Sequence, residues 1–175
     1  MKKILPLLLL TCASTQAQTH SPELTQLLSE IHEQYNSPSL MSIDKKDMAD
    51  VTKLPYFLQH IDETDTVESI RLNAYLQGLQ TAYFRSNYRS SSFFCMPWGG
   101  NKIDLDPNNN PNFTRDIIWR SLERITKNEP QSFRKANYAP SFAVSTSSLL
   151  EYGLQIEFPC QEPIPKSKRK TRWKY

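Results

Sequence analysis

Apolar residues return every three or four positions through most of this chain, and that spacing confines it to helices. The first such stretch runs from Ser21 to Tyr35, where Leu24, Leu27, Leu28, Ile31 and Tyr35 share one face. Ser21 stands at a helix-cap position, Pro22 suits the first helical residue, and Glu23 complements the positive end of the helix dipole. Asn36-Ser37-Pro38-Ser39 ends the stretch. A weaker segment follows from Ser42 to Asp50, and Leu54, Phe57, Leu58 and Ile61 predict a short helix opening at Pro55. The clearest stretch starts at Asp65, with Glu68 three residues on as its capping partner, and runs to about Asn87. Its expected core face holds Val67, Ile70, Ala74, Leu79, Ala82 and Tyr83, widened by Tyr75 and Leu76.

From Trp98 to Pro111 the chain reads WGGNKIDLDPNNNP. Two Gly, two Pro and four Asn exclude regular structure through most of it, which predicts a long surface loop. A helix resumes at Asn112 or Phe113, with Ile117, Ile118, Leu122 and Ile125 on one face, and Asn128-Glu129-Pro130 closes it. A last helix is expected from about Ser141, after Pro140, carrying Phe142, Leu149, Leu150 and Leu154 as far as Phe158-Pro159-Cys160. No turn dipeptide sits between alternating runs, so no hairpin is expected, and no internal repeat is present. The expectation is an all-α fold, a single small helical domain of five or six helices with one disulfide.

The chain opens MKKILPLLLLTCASTQAQ. Lys2 and Lys3, a short apolar run and the small residues Thr15 and Ala17 have the layout of a secretory signal peptide over residues 1–17. The apolar run is far shorter than the roughly 20 residues a membrane span needs. No other candidate span follows, so stable membrane insertion is not expected once the leader is removed. The rival reading is a lipoprotein site at Cys12, to which Thr11 is poorly suited. Cleavage near Ala17 leaves two cysteines, Cys95 and Cys160, in an oxidising compartment, and an even pair there reads as a disulfide. Closing that loop contributes about 4 kcal/mol in the chain-entropy picture. A redox or nucleophilic role is the alternative, but the chain has no CxxC and each Cys sits beside proline and aromatic residues.

Charge divides the remainder. Of 21 Lys and Arg, two lie in the leader and six in the last ten residues, leaving 13 against 18 Asp and Glu. The formal charge of +3 therefore combines an acidic body with a basic tail, which argues against nucleic acid as a partner of the folded part. The domain is expected over residues 18–162 and a disordered basic tail over 163–175. Trp173 and Tyr175 amid six cations are the residue types that stack on nucleic acid or settle on anionic membranes; a solvated tail is the plainer reading.

Catalytic chemistry finds little purchase. His20, His32 and His60 have no paired metal-ligand spacing and read as exposed. Ser145-Thr146-Ser147-Ser148 has no base nearby and reads as the polar side of a helix start. Asp44, Asp47, Asp50, Asp62, Glu63, Asp65 and Glu68 lack calcium-loop spacing and read as a solvated face. There is no glycine-rich phosphate loop and no GxSxG. No enzyme, metal or cofactor is expected.

Three pieces recur together: Tyr75-Leu76-Gln77-Gly78 in the long helix, Phe94-Cys95-Met96-Pro97 after it, and Phe158-Pro159-Cys160 at the end of the last. Their order resembles the Rap/Tai immunity family, periplasmic proteins that protect bacteria from amidase toxins delivered by type VI secretion. The resemblance spans roughly Val67 to Cys160. It implies a small helical protein, often a homodimer, that inhibits a peptidoglycan amidase by plugging its cysteine–histidine cleft, and its paired cysteines match Cys95 and Cys160. The partner it implies is a cognate amidase effector toxin. A periplasmic structural or chaperone-like interaction protein without a toxin is the alternative. The loop Trp98–Pro111 is long for the family, and the basic tail is unusual for it. Within that loop Trp98, Gly99, Gly100, Asn101, Asp104 and Asp106 are the expected partner contacts: the glycines allow close backbone approach, Trp is a common hot spot, and the two aspartates suit a basic rim.

Overall fold

The computed structural model describes residues 20–87, 94–95 and 106–160. The leader with Cys12, the basic tail from residue 163, and Trp98, Gly99, Gly100, Asn101 and Asp104 lie outside the described residues. The order is α1 (Pro22–Tyr35), α2 (Ser42–Met48), α3 (Leu54–His60), α4 (Val67–Asn87), α5 (Phe113–Asn128), α6 (Lys135–Ala143) and α7 (Thr146–Glu157). The described residues are all-α, joined by a Cys95–Cys160 disulfide.

Among the described residues there are seven helices where five or six were expected. The difference arises around Pro140. The sequence places one helix from Ser141 onward, but Val144 is extended and Ser145 caps a new helix, its side chain accepting from the Ser148 N–H at 3.1 Å. The last helix therefore starts at Thr146, and α6 is separate. The break also serves packing. Leu54 N–H donates to Val144 O and Thr146 N–H to Thr52 O, both at 2.9 Å, so the start of α3 pairs with the α6–α7 link.

Helix α1 forms as its sequence dictates. The Ser21 side chain accepts from Leu24 N–H at 3.2 Å, and Leu24, Leu27, Ile31 and Tyr35 are buried. Helix α4 differs in its start and in part of its face: Tyr75, Leu76, Leu79 and Tyr83 pack on the core as expected, and the other four do not. Its cap is Thr66, not Asp65, which instead takes a left-handed φ of 61°. Thr66 Oγ1 accepts from Ser69 N–H at 3.1 Å while Ser69 Oγ accepts from Thr66 N–H at 3.2 Å, so Ser69 fills the reciprocal role expected of Glu68. Val67 and Ile70, expected in the core, are 66% and 62% exposed, and Ala74 and Ala82 are exposed as well. The buried face runs through Ser69, Leu72, Leu76 and Gln80. The rotation has a polar cause: Gln80 must reach the turn ahead of α5, where its Nε2 donates to Asn110 O at 2.9 Å.

The core lies where α5 meets α1, α4 and α7. Ile117, Ile118, Leu149, Leu150, Leu24 and Leu72 are at most 1% exposed. Helix α6 carries the most strained backbone described. Ala136, Asn137 and Tyr138 are all left-handed, which L-residues rarely adopt in succession. The turn is pinned from outside: Glu30 on α1 accepts from Arg134 Nε at 2.6 Å and from the Tyr138 hydroxyl at 3.0 Å.

Candidate partner-binding surface

The expected contact loop leaves the described part of the chain at Cys95 and re-enters it at Asp106, and both ends are fastened to the helices. At the first end, Cys95 N–H donates to Phe158 O at 2.8 Å beside the disulfide, whose Cα atoms are 4.8 Å apart. Phe94 is fully buried and meets Tyr83 of α4 edge-on, with ring centroids 6.5 Å apart. Phe158 in turn packs against Phe113, the first residue of α5, at 6.3 Å. The two short cysteine motifs thus form one joint tying α4, α5 and α7.

At the second end, Asp106 builds a tight turn. Its carboxylate accepts from the backbone N–H and from Nδ2 of Asn108, each at 2.9 Å, and its carbonyl accepts from Asn109 and Asn110 N–H at 3.0 and 2.9 Å. Asp and Asn side chains favour such turns because they hydrogen-bond the backbone two residues on. Gln80 completes the clasp, holding Asn110 O and accepting from Thr114 Oγ1 at 3.3 Å. Of the six expected contact residues, Asp106 alone is described, and its carboxylate is engaged in holding the loop.

Charges near the joint are paired. The Tyr83 hydroxyl donates to Glu151 Oε1 at 2.7 Å, and burial with the adjacent carboxylate pushes the Tyr83 pKa well up. Arg120 Nε meets Glu157 at 2.7 Å; burial raises the Glu157 pKa against the pull of that arginine.

One expectation about polar residues is corrected. His32 is exposed as expected, but His20 packs on Trp119 with ring centroids 4.4 Å apart and lies 3.5 Å from Glu123. His60 sits 2.9 Å from Glu63 and against Tyr56. Burial of the neighbouring apolar faces draws these two rings in. The acidic stretch is solvated as expected, with Asp62, Glu63, Asp65 and Glu68 exposed, and some of its carboxylates are engaged at the surface. Asp50 accepts from Thr52 N–H at 2.9 Å, and Asp62 from Arg115 at 2.8 Å. Among the described residues no group of three or more His, Cys, Asp or Glu is placed to hold a metal ion, and no helix is long and apolar enough to cross a membrane.

Sequence reasoning missed a cleft of about 300 Å³ between α1, α3 and α5, lined by Leu28, Ile31, Tyr35, Leu58, Gln59 and Trp119. Trp119 follows Ile118 on α5 and could have been added to that helix's stripe; Gln59 carries no signal of its own. A larger groove of about 940 Å³ lies where the start of α1 meets α5 and α7, and basic Arg120, Arg124 and Lys127 share its lining with acidic Glu23, Glu123 and Glu157. No protein-family model matches the chain, and neither curated proteins nor solved structures gave a match.

Proposed function

We propose that the protein is a periplasmic immunity protein that binds a type VI secreted peptidoglycan amidase and inhibits it by occluding the active site. The observation that carries this reading is the joint at Cys95 and Cys160, which sets both cysteine motifs of the Rap/Tai resemblance at the root of the loop 96–105. The disulfide at one end and the Asp106 turn at the other fix where the loop begins and ends, and fixed ends lower the cost of presenting it to a cleft. A disulfide is also what an oxidising compartment sustains, which supports the exported location. Inhibition in this reading is steric and stoichiometric: Trp98 anchors, Gly99, Gly100 and Asn101 bring backbone against backbone, and Asp104 faces the catalytic histidine or a basic rim. Asp106 acts behind them by shaping the loop.

The test is co-purification of the leader-free protein with a cysteine–histidine amidase encoded by a neighbouring gene, followed by a peptidoglycan cleavage assay. The expected result is a stable complex in which cleavage stops at equimolar inhibitor. An amidase that stays fully active in molar excess of this protein overturns the reading.

A further inference from the structure

The start of α4 leaves two large apolar side chains uncovered. Val67 and Ile70 are 66% and 62% exposed, and Ala74, one turn on, is exposed as well. Helical spacing sets the three on one face. Carboxylates border it, with Glu63, Asp65 and Glu68 all exposed. Glu63 accepts from Thr66 Oγ1 at 2.8 Å and meets His60, while the carboxylates of Asp65 and Glu68 have no hydrogen-bond or ion-pair partner among the described residues. Asp62 is balanced by Arg115, and Arg71 is the one basic side chain between Val67 and Tyr83. An apolar face with an acidic border fits a partner that carries aromatic rings and positive charge together. Met41 and Ile43, the other large apolar residues exposed among the described ones, lie beside Lys45 and Lys46 as much as Asp44 and Asp47, so no such excess of negative charge surrounds them.

The chain itself supplies that chemistry. Its last ten residues, KSKRKTRWKY, hold six cations, two aromatic rings and no acidic side chain. Fifteen residues follow Cys160, enough to span about 50 Å when extended. The way is short. Phe158, two residues before Cys160, packs against Phe113, and Arg115, two residues after Phe113, meets Asp62 at 2.8 Å, just ahead of α4. We propose that the segment 166–175 docks on the start of α4, Trp173 covering Val67 and Ile70 while Arg172 and Lys174 meet Asp65 and Glu68. Attachment to the domain keeps the segment at high effective concentration, so modest contacts suffice to hold it. The proposal does not depend on the immunity reading.

The experiment is methyl NMR of the leader-free protein, with the Val67 and Ile70 methyl signals identified by their loss from Val67→Ala and Ile70→Ala proteins. An indole ring lying on these methyls displaces their signals and gives nuclear Overhauser contacts to them. The expected result is such contacts from the Trp173 ring, and a shift of both sets of methyls in Trp173→Ala that is the same at high and low protein concentration. Asp65→Asn with Glu68→Gln should move the methyls toward their Trp173→Ala positions, as should salt at about 1 M, which screens charges beyond about 3 Å. Asparagine tolerates the left-handed backbone of residue 65, and residue 68 is exposed, so the double variant should fold. Methyl signals that Trp173→Ala leaves in place overturn the proposal. Shifts that fade on dilution overturn it too, because the cover is then a second copy of the chain, and so do Trp173 contacts left intact by the double change or by salt.

Discussion

Gly153 on α7 faces Ser121 on α5 with no room for a methyl group between them. A Cβ on Gly153 would overlap Ser121 Oγ and stand 2.5 Å from Ile117 Cγ2 and 3.1 Å from the Ile117 carbonyl oxygen. Ser121 cannot readily turn away, because its hydroxyl lies 2.7 Å from Ile117 O and 2.9 Å from Leu149 O. Gly153→Ala should therefore destabilise the domain by about 1–3 kcal/mol through overpacking, although alanine is the better helix former by about 1 kcal/mol. Gly78 on α4 is the internal control, since nothing lies within 4 Å of a Cβ built there. Gly78→Ala should stabilise by up to about 1 kcal/mol. Thermal melts of the two variants should move in opposite directions.

Glu30 should make stability depend on acid. Its hydrogen bond from Arg134, helped by those from Tyr138 and Gln26, holds its carboxyl below the ordinary value near 4.5. A depressed carboxylate contributes stability above that ordinary value and loses the contribution as pH falls through its own lower one. Glu30→Gln should lower the melting temperature at neutral pH and lose less of it than the native protein between neutral pH and the acid range. Melting curves across pH, native against variant, check both parts.

Replacing Cys95 and Cys160 together by alanine should cost about 2–5 kcal/mol, the usual scale for a native disulfide. Intact mass with and without reductant should show the bond in protein from the oxidising compartment. Two free thiols in that protein would contradict it.

In the contact loop the two kinds of residue should separate by readout. Trp98→Ala should weaken partner binding by about 2 kcal/mol, as hot spots do, with little change in melting temperature. Asp106→Ala should instead lower stability by about 1 kcal/mol, because its carboxylate holds Asn108 in the turn. Affinity measured beside melting temperature for each variant distinguishes an anchor from a brace.

What could be read in the sequence was what is decided locally. Ser21, Pro22 and the leucine stripe mark α1 within its own sequence, and Ile117, Ile118, Leu122 and Ile125 do the same for α5. The face of α4 could not be read that way. Val67 and Ile70 are more apolar than Ser69 and Gln80, yet the polar pair is buried, because Gln80 answers Asn110 and Thr114 some thirty positions on. The left-handed turn at Ala136–Tyr138 carries no glycine to announce it and depends on Glu30 from the first helix. Asn and Pro marked the Asp106 turn, but they did not reveal that the aspartate's carboxylate faces inward to Asn108. The cleft was hidden for a further reason: α1, α3 and α5 each contribute part of it, and none contributes enough to stand out.

The cap of α1 carries a consequence for how the chain is made. Ser21 gives both its backbone N–H and its hydroxyl to Glu123, at 2.9 and 2.5 Å, across 102 positions of sequence. A ribosome extending at about 5–20 residues per second needs roughly 5–20 seconds to supply that carboxylate. Throughout that interval Leu24, Leu27 and Ile31 have no α5 to cover them. Of the described helices the first to emerge waits for the fifth to be covered, and a holding chaperone has reason to grip it in the meantime.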